Sequence, residues 1–164
     1  MIIHGGLIAC RQPGGLWRGA LIQGASGAGK SDLMLRALEA GWSLVADDRT
    51  LLWISGGRLF GRAAPGLVGL MEIRGLGVFS FPERPFAEVA LVAVSAETTQ
   101  IERMPDPEAK PLLGLAIPLI RLPLTQASSL AKLAYALTHV GLLAQPSYLA
   151  CGAGGDHPDA GGVP

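Results

Sequence analysis

Gly24-Ala25-Ser26-Gly27-Ala28-Gly29-Lys30-Ser31 has the spacing of glycines, lysine and hydroxyl that builds a phosphate-binding loop. Glycine lets backbone N–H groups approach and wrap an anion. Lys30 brings positive charge to the β- and γ-phosphates, and the Ser31 hydroxyl can ligate Mg²⁺. Such a loop needs a strand before it and a helix after it. Gly19-Ala20-Leu21-Ile22-Gln23 is a short apolar run suited to a buried strand. Leu33, Leu35, Ala37 and Leu38 fall in a stretch of good helix formers that ends at Gly41. The helix N-terminus would then face the bound phosphate. A glycine-rich turn that merely joins strand to helix does not ask for Lys30 and Ser31 at these places, so the stretch reads as a nucleotide site.

The 164 residues leave room for one core and little for a second fold. Residues 1–148 read as one phosphate-loop catalytic domain. Residues 149–164, with Gly152, Gly154, Gly155, Gly161 and Gly162 close together, read as a disordered C-terminal tail. Thirteen Lys+Arg balance thirteen Asp+Glu, so no overall basic field exists to hold nucleic acid or an anionic membrane. A charged fraction of 16% and a mean hydropathy of +0.39 are apolar for a soluble monomer. Gly, Pro or Arg interrupts every run before it reaches the length of a membrane span. A homo-oligomer is therefore expected to bury that surface. Met1-Ile2-Ile3-His4 lacks the charged start and apolar core of a secretory signal, and Cys10 and Cys151 form no metal or disulfide pattern. These features imply a cytoplasmic protein with free thiols.

Residues Gly6 to Cys10 read as a small strand just after His4, and Arg11 to Arg18 as a turn leading back into the strand before the loop. After the helix, Ser43-Leu44-Val45-Ala46 is a short strand that ends in Asp47-Asp48, with extended chain from Thr50 to Ile54. An acid at such a strand end can help to hold Mg²⁺, and neighbouring strand residues face opposite sides, so the two carboxylates should differ in role. Asp-Asp-Arg also suits a plain polar turn. Met71-Glu72-Ile73-Arg74-Gly75-Leu76-Gly77-Val78 has strand alternation that puts Glu72 and Arg74 on one face, a pattern also found on ordinary sheet surface. Glu88 to Ser95 reads as a strand, Ala96 to Lys110 as a polar loop carrying Arg103, and Ile117 to Leu122 as a strand. Ser128 to Leu143 has helical spacing in Leu130, Leu133, Ala134, Leu137 and Val140.

The phosphate loop, Leu44-Val45-Ala46-Asp47-Asp48 and Glu72-Ile73-Arg74-Gly75-Leu76-Gly77, in this order, resemble the catalytic domain of HPr kinase/phosphorylase. The resemblance implies an α/β fold: a mixed, curved β-sheet with helices packed to one side, like that of phosphoenolpyruvate carboxykinase. It implies an ATP- and Mg²⁺-dependent serine kinase acting on HPr, the phosphocarrier protein of the sugar phosphotransferase system, with removal of the phosphate by phosphorolysis. Members are cytoplasmic and commonly hexameric.

Carried over by position, the resemblance gives Gly24, Ala25, Ser26, Gly27, Ala28, Gly29, Lys30 and Ser31 to the nucleotide. Ser31, Glu72 and Asp47 are assigned to the metal. Asp48 becomes the base for the substrate serine, with His4, Lys30 and Arg103 as further catalytic residues. The His4-Gly5 pair is similar to the family's His-Gly ahead of the domain's first strand. Glu102-Arg103-Met104 is similar to the setting of its catalytic arginine. Two departures stand out: the chain resembles short alphaproteobacterial forms without an N-terminal domain, and Leu122-Pro123-Leu124-Thr125-Gln126-Ala127-Ser128 lacks the arginine of the family's segment tied to dephosphorylation. A small-molecule or carboxykinase-like kinase and a nucleotide-sensing module without transfer are the competing readings.

Overall fold

Short apolar runs cut by glycine and proline favour strands and tight connections over long helices. In the computed structural model, which describes residues 1–12 and 15–139, the chain runs in this order: β1 (Ile2–His4), β2 (Gly6–Arg11), β3 (Trp17–Gln23), α1 (Lys30–Glu39), β4 (Ser43–Ala46), β5 (Arg49–Ser55), β6 (Arg58–Ala63), β7 (Leu70–Ile73), β8 (Gly77–Ser80), β9 (Ala87–Ser95), a 3₁₀ turn at Thr98–Gln100, β10 (Glu108–Leu112), β11 (Leu115–Leu122) and α2 (Ser129–His139). Nine strands form one mixed sheet in the order β1-β5-β6-β9-β3-β2-β4, with β11 also beside β9 and β10 outside it.

Strand β9 is the branch point. It runs parallel to β3 on one side. On its other side the first residues pair with β6, Phe60 opposite Glu88, while the last pair parallel with β11, Leu122 opposite Ser95. Two partners sharing one edge make the sheet divide and curve. That division yields two cores. Ile8, Ala20, Ile22, Leu91 and Ala93 lie under the helices with Leu33, Met34, Leu133 and Leu137. Leu7, Leu21 and Val92 instead face Leu52, Leu59, Leu112 and Ile117 across the fold of the sheet. Alternation along β3 and β9 sends successive side chains to the two cores in turn. Both described helices lie on the first face, as the fold class predicts.

Three local expectations are corrected. His4 is not ahead of the first strand but ends β1, which pairs with β5 through His4 and Arg49. Glu72 and Arg74 do not share a strand face, because the chain turns at residues 74–76 and folds β7 against β8 as a separate two-stranded hairpin; Gly-Leu-Gly at its tip serves a turn. The stretch from 96 to 110 is not all loop, since Glu108–Leu112 is a strand paired with β11. Cys10 is a free thiol, pushed up by burial. Val140, Cys151 and the expected tail lie outside the described residues.

Candidate functional site

The phosphate loop joins the buried end of β3 to α1. Leu33 and Met34, fully buried on the first turns of the helix, each contribute about 1.5–3 kcal/mol of burial and so fix the helix start against the sheet. Gly29 caps that start in the left-handed region, at φ 90°, with no side chain closing the N-terminal amides. A Cβ there would also stand 2.5 Å from Thr125 Cγ2, so only glycine fits. The exposed amides and the helix dipole favour an anion. Lys30 Nζ folds back to donate to the carbonyls of Gly24 and Ala25, both at 3.0 Å. Ser31 follows it, half-buried, in the first turn of α1.

Behind the loop, Arg36 donates to the carbonyls of Leu124 and Gln126 and pairs with Asp32 at 2.8 Å. This clamps the segment before α2 to the helix that carries Lys30. A cleft of about 360 Å³ opens beside the loop, with Ser95, Ala96, Glu97 and Gln100 as its other wall.

Asp47 and Asp48 lie in the turn between β4 and β5, and their carboxylates diverge. The cause is a left-handed turn rather than strand alternation: Asp48 has φ 61°, a conformation that costs a non-glycine residue free energy and persists only where the surroundings hold it. Here Gly5 N–H donates to the Asp48 carbonyl at 2.8 Å. The buried Thr50 hydroxyl donates to the Gly5 carbonyl at 2.7 Å. Arg49 N–H closes on the Asp47 carbonyl at 2.7 Å. Asp48 thereby presents an exposed carboxylate to His4, Nδ1 to Oδ1 3.1 Å. Asp47 turns the other way and accepts the Glu72 backbone N–H at 3.1 Å. Burial pushes the Asp47 carboxyl up, and the charges of Asp48 and Glu72 add to that rise against the hydrogen bonds that lower it.

The structure thus pairs His4 with Asp48 and Asp47 with Glu72, and Gln23, next to the loop, reaches the His4 carbonyl. Arg74 approaches too: its Nη1 is 3.8 Å from where a Cβ of Gly27 would stand. Arg103 is tied to none of these groups. It is exposed between the 3₁₀ turn and β10, with no hydrogen bond or ion pair among the described residues. The sequence does not show that Gly5 and Thr50 hold the turn; Gly5 stands out only in the His4-Gly5 pair and Thr50 only as the start of an extended apolar run.

The model of the HPr serine kinase C-terminal domain matches residues 2–150. The chain belongs to that family. Among relatives of the HPr serine kinase domain, an HPr kinase/phosphorylase from Mycoplasma genitalium is 30% identical over 128 residues, 70% of this chain and 41% of that protein. One from Chlorobium chlorochromatii is 37% identical over 119 residues, 65% of this chain and 36% of its own length. The chain therefore spans about two fifths of the curated relatives it matches. The structure of the Hpr(Ser) kinase/phosphatase from Coxiella burnetii superposes with a TM-score of 0.74 at 22% identity, covering 96% of this chain and 99% of that one. The mixed α/β fold expected from the motifs is the fold of this HPr serine kinase domain.

Proposed function

We propose that this chain is the catalytic unit of an ATP-dependent serine kinase whose substrate is an HPr-type phosphocarrier protein. The observation that carries the reading is the Asp48 carboxylate, exposed yet held by His4 at 3.1 Å on a strained turn. A base that must reach a hydroxyl on another protein needs that combination of access and fixed direction. In-line transfer then follows from the chain's own groups. Lys30 leaves the Gly24 and Ala25 carbonyls for the β- and γ-phosphates, joined by the loop amides. Asp48 takes the proton of the serine hydroxyl as its oxygen bonds to the γ-phosphorus. The bond from that phosphorus to the bridging oxygen breaks, and ADP leaves with the electron pair. His4 keeps the Asp48 carboxylate aimed, and Arg103, which no hydrogen bond or ion pair among the described residues ties to these groups, would have to swing in from its exposed segment to supply positive charge to the transferred group.

Ser31, Asp47 and Glu72 offer hard oxygen donors only, and no cluster of three His, Cys, Asp or Glu among the described residues makes a complete protein cage. That donor set suits Mg²⁺, which keeps waters and is held by one or two carboxylates together with substrate phosphates. Burial, and after it the charges of Asp48 and Glu72, raise the Asp47 carboxyl, and a bound cation would favour its ionised form. Bound there, Mg²⁺ supplies neutralisation of phosphate charge. The catalytic domain is taken as residues 1–148. We further infer a cytoplasmic homo-oligomer that binds neither nucleic acid nor membrane. The balanced charge and the absence, among the described residues, of a helix long and apolar enough to cross a bilayer support the latter part. Exposed Phe86 and Ile54, beside the partly covered Trp53 and Phe60, support assembly.

The test is incubation with γ-labelled ATP and a panel of HPr-type carriers, with a serine-to-alanine carrier as control. Label on the serine is expected; label passing only to metabolites, or ATP bound without transfer, would replace this reading. With Thr125-Gln126-Ala127 where the family has its arginine, kinase activity should exceed phosphorolysis of the product. Equal rates at saturating inorganic phosphate would overturn that direction.

A further inference from the structure

Gln23, the last residue of β3 before the phosphate loop, ties two otherwise separate groups together. Its Oε1 accepts from Lys110 Nζ of β10 at 2.5 Å. Its Nε2 donates to the His4 carbonyl at 3.3 Å, and the His4 ring meets Asp48 at 3.1 Å. A line of contacts therefore crosses from β10 through β3 and β1 to the candidate base. The Gln23 stem also lies over Gly5, where a Cβ would stand 3.2 Å from Gln23 Cγ, so the glycine leaves room for this side chain.

The polarity of the line is set at one end. An ammonium has three donors and no acceptor, so only the oxygen of the Gln23 amide can face Lys110, and the NH₂ must face His4. Lys110 is half-buried and, among the described residues, has no carboxylate partner. A long cationic side chain held in that way costs side-chain entropy and desolvation without ion-pair compensation. Core packing alone would be served as well by an apolar residue.

We propose that Lys110 and Gln23 are positioning residues: Lys110 orients the Gln23 amide, and the amide anchors the end of β1 so that His4 stays on Asp48. The inference rests on the kinase reading for its effect on rate, but not for its effect on His4. Lys110→Met keeps the stem and removes the donor. It should lower kcat for transfer about tenfold, the scale of a lost supporting contact, and leave KM for ATP within about twofold, because the loop is untouched. Lys110→Arg restores a donor and should recover most of the rate. Gln23→Glu separates the line from packing: the carboxylate strengthens the contact to Lys110 but cannot donate to His4. Its kcat should therefore fall as in Lys110→Met while its melting temperature does not.

The imidazole nitrogen shifts of His4, read by NMR on the full chain at one fixed pH, should move in Lys110→Met and Gln23→Glu and return in Lys110→Arg. If the wild-type chain transfers no phosphoryl group, the kinase reading fails and the His4 shifts still decide the line. If transfer occurs but Gln23→Glu keeps the wild-type kcat and His4 shifts, the line is overturned.

Discussion

The phosphate loop and the β7–β8 hairpin bring the same kind of signal, a short run of specified residues ending in glycines, yet they are held in opposite ways. The loop stands between a strand whose four middle residues are buried and a helix whose Leu33, Met34 and Ala37 are in the core. It is stitched from within by Lys30 and from behind by Arg36. The hairpin is a sheet of two strands. All four residues of β8 are exposed, and its hold on the body comes from Met71 in the core with Ile73 packed against it and from the Glu72 N–H on Asp47. Two-stranded ribbons have little stability of their own. The loop is thus held at both ends, from within and from behind, while the hairpin that carries Glu72 and Arg74 is held by few contacts and is the side expected to adjust if it takes up the metal and acceptor proposed for it.

The sharpest break of the loop is Lys30→Ala. It removes the charge meant for the β/γ-phosphates, and also two contacts that shape the loop. ATP affinity should drop strongly and transfer should be all but lost. Calorimetry that finds unchanged ATP binding would remove the loop from the nucleotide site. Next in size is Asp48→Asn, which keeps shape and a hydrogen bond to His4 but cannot take the serine proton. ATP should still bind while transfer falls roughly 10²–10⁴-fold.

How far the sequence carried differs between the same two regions. The strand–loop–helix setting of the phosphate loop was legible, because strand, glycines, lysine and helix are contiguous. The hairpin was read as one strand, because period-2 alternation from Met71 to Arg74 looks alike whether the chain continues or turns at Gly75. The divergence of Asp47 and Asp48 was expected for the wrong reason. A positive φ at Asp48 is selected by Gly5, in the link between β1 and β2, and by Thr50, in β5, and no local pattern encodes that pairing. The division of the sheet at β9 was likewise invisible, since two strands sharing one edge is a long-range arrangement. The overall class was legible through the motifs, and Arg103, exposed three residues beyond Gln100 of the cleft wall, has no hydrogen bond or ion pair among the described residues.

The adjustable side can be loosened without touching a candidate ligand. Met71 is 1% exposed in the core under the helices, and Met71→Ala should cost about 2–4 kcal/mol through the cavity it leaves. Because Met71 is the hairpin's deepest anchor, amide exchange should quicken in Leu70–Ser80 more than in α1. ATP binding should hold, while the Mg²⁺ concentration needed for half-maximal transfer should rise. Equal loss of protection in α1 would mean that hairpin and loop form one cooperative unit, and the contrast between them would fall.

The smallest expected effect lies where the two regions meet, at Asp47. Its carboxyl is raised by burial and by its acidic neighbours, so without metal the folded chain binds this proton more tightly than the unfolded chain does. Stability from this group is then fully present below the ordinary carboxylate value and is lost as pH rises through the raised one. At neutral pH the ionised Asp47 is a local burden. Asp47→Asn still offers an oxygen to the Glu72 N–H but carries no charge, so the metal-free variant should melt higher than the wild type at pH 7, and the gain should vanish in acid. Added Mg²⁺ should narrow the gap by binding the wild type more tightly. Transfer by Asp47→Asn should need more Mg²⁺ and approach substantial activity when it is supplied, since a weakened metal site refills by mass action and a missing base does not. A Mg²⁺ titration of both aspartate variants, with melting curves at two pH values, checks each part. Rescue of Asp48→Asn but not of Asp47→Asn would exchange their roles. A lower melting temperature for metal-free Asp47→Asn would show that the carboxylate holds the hairpin to the turn by more than the single hydrogen bond the amide can keep.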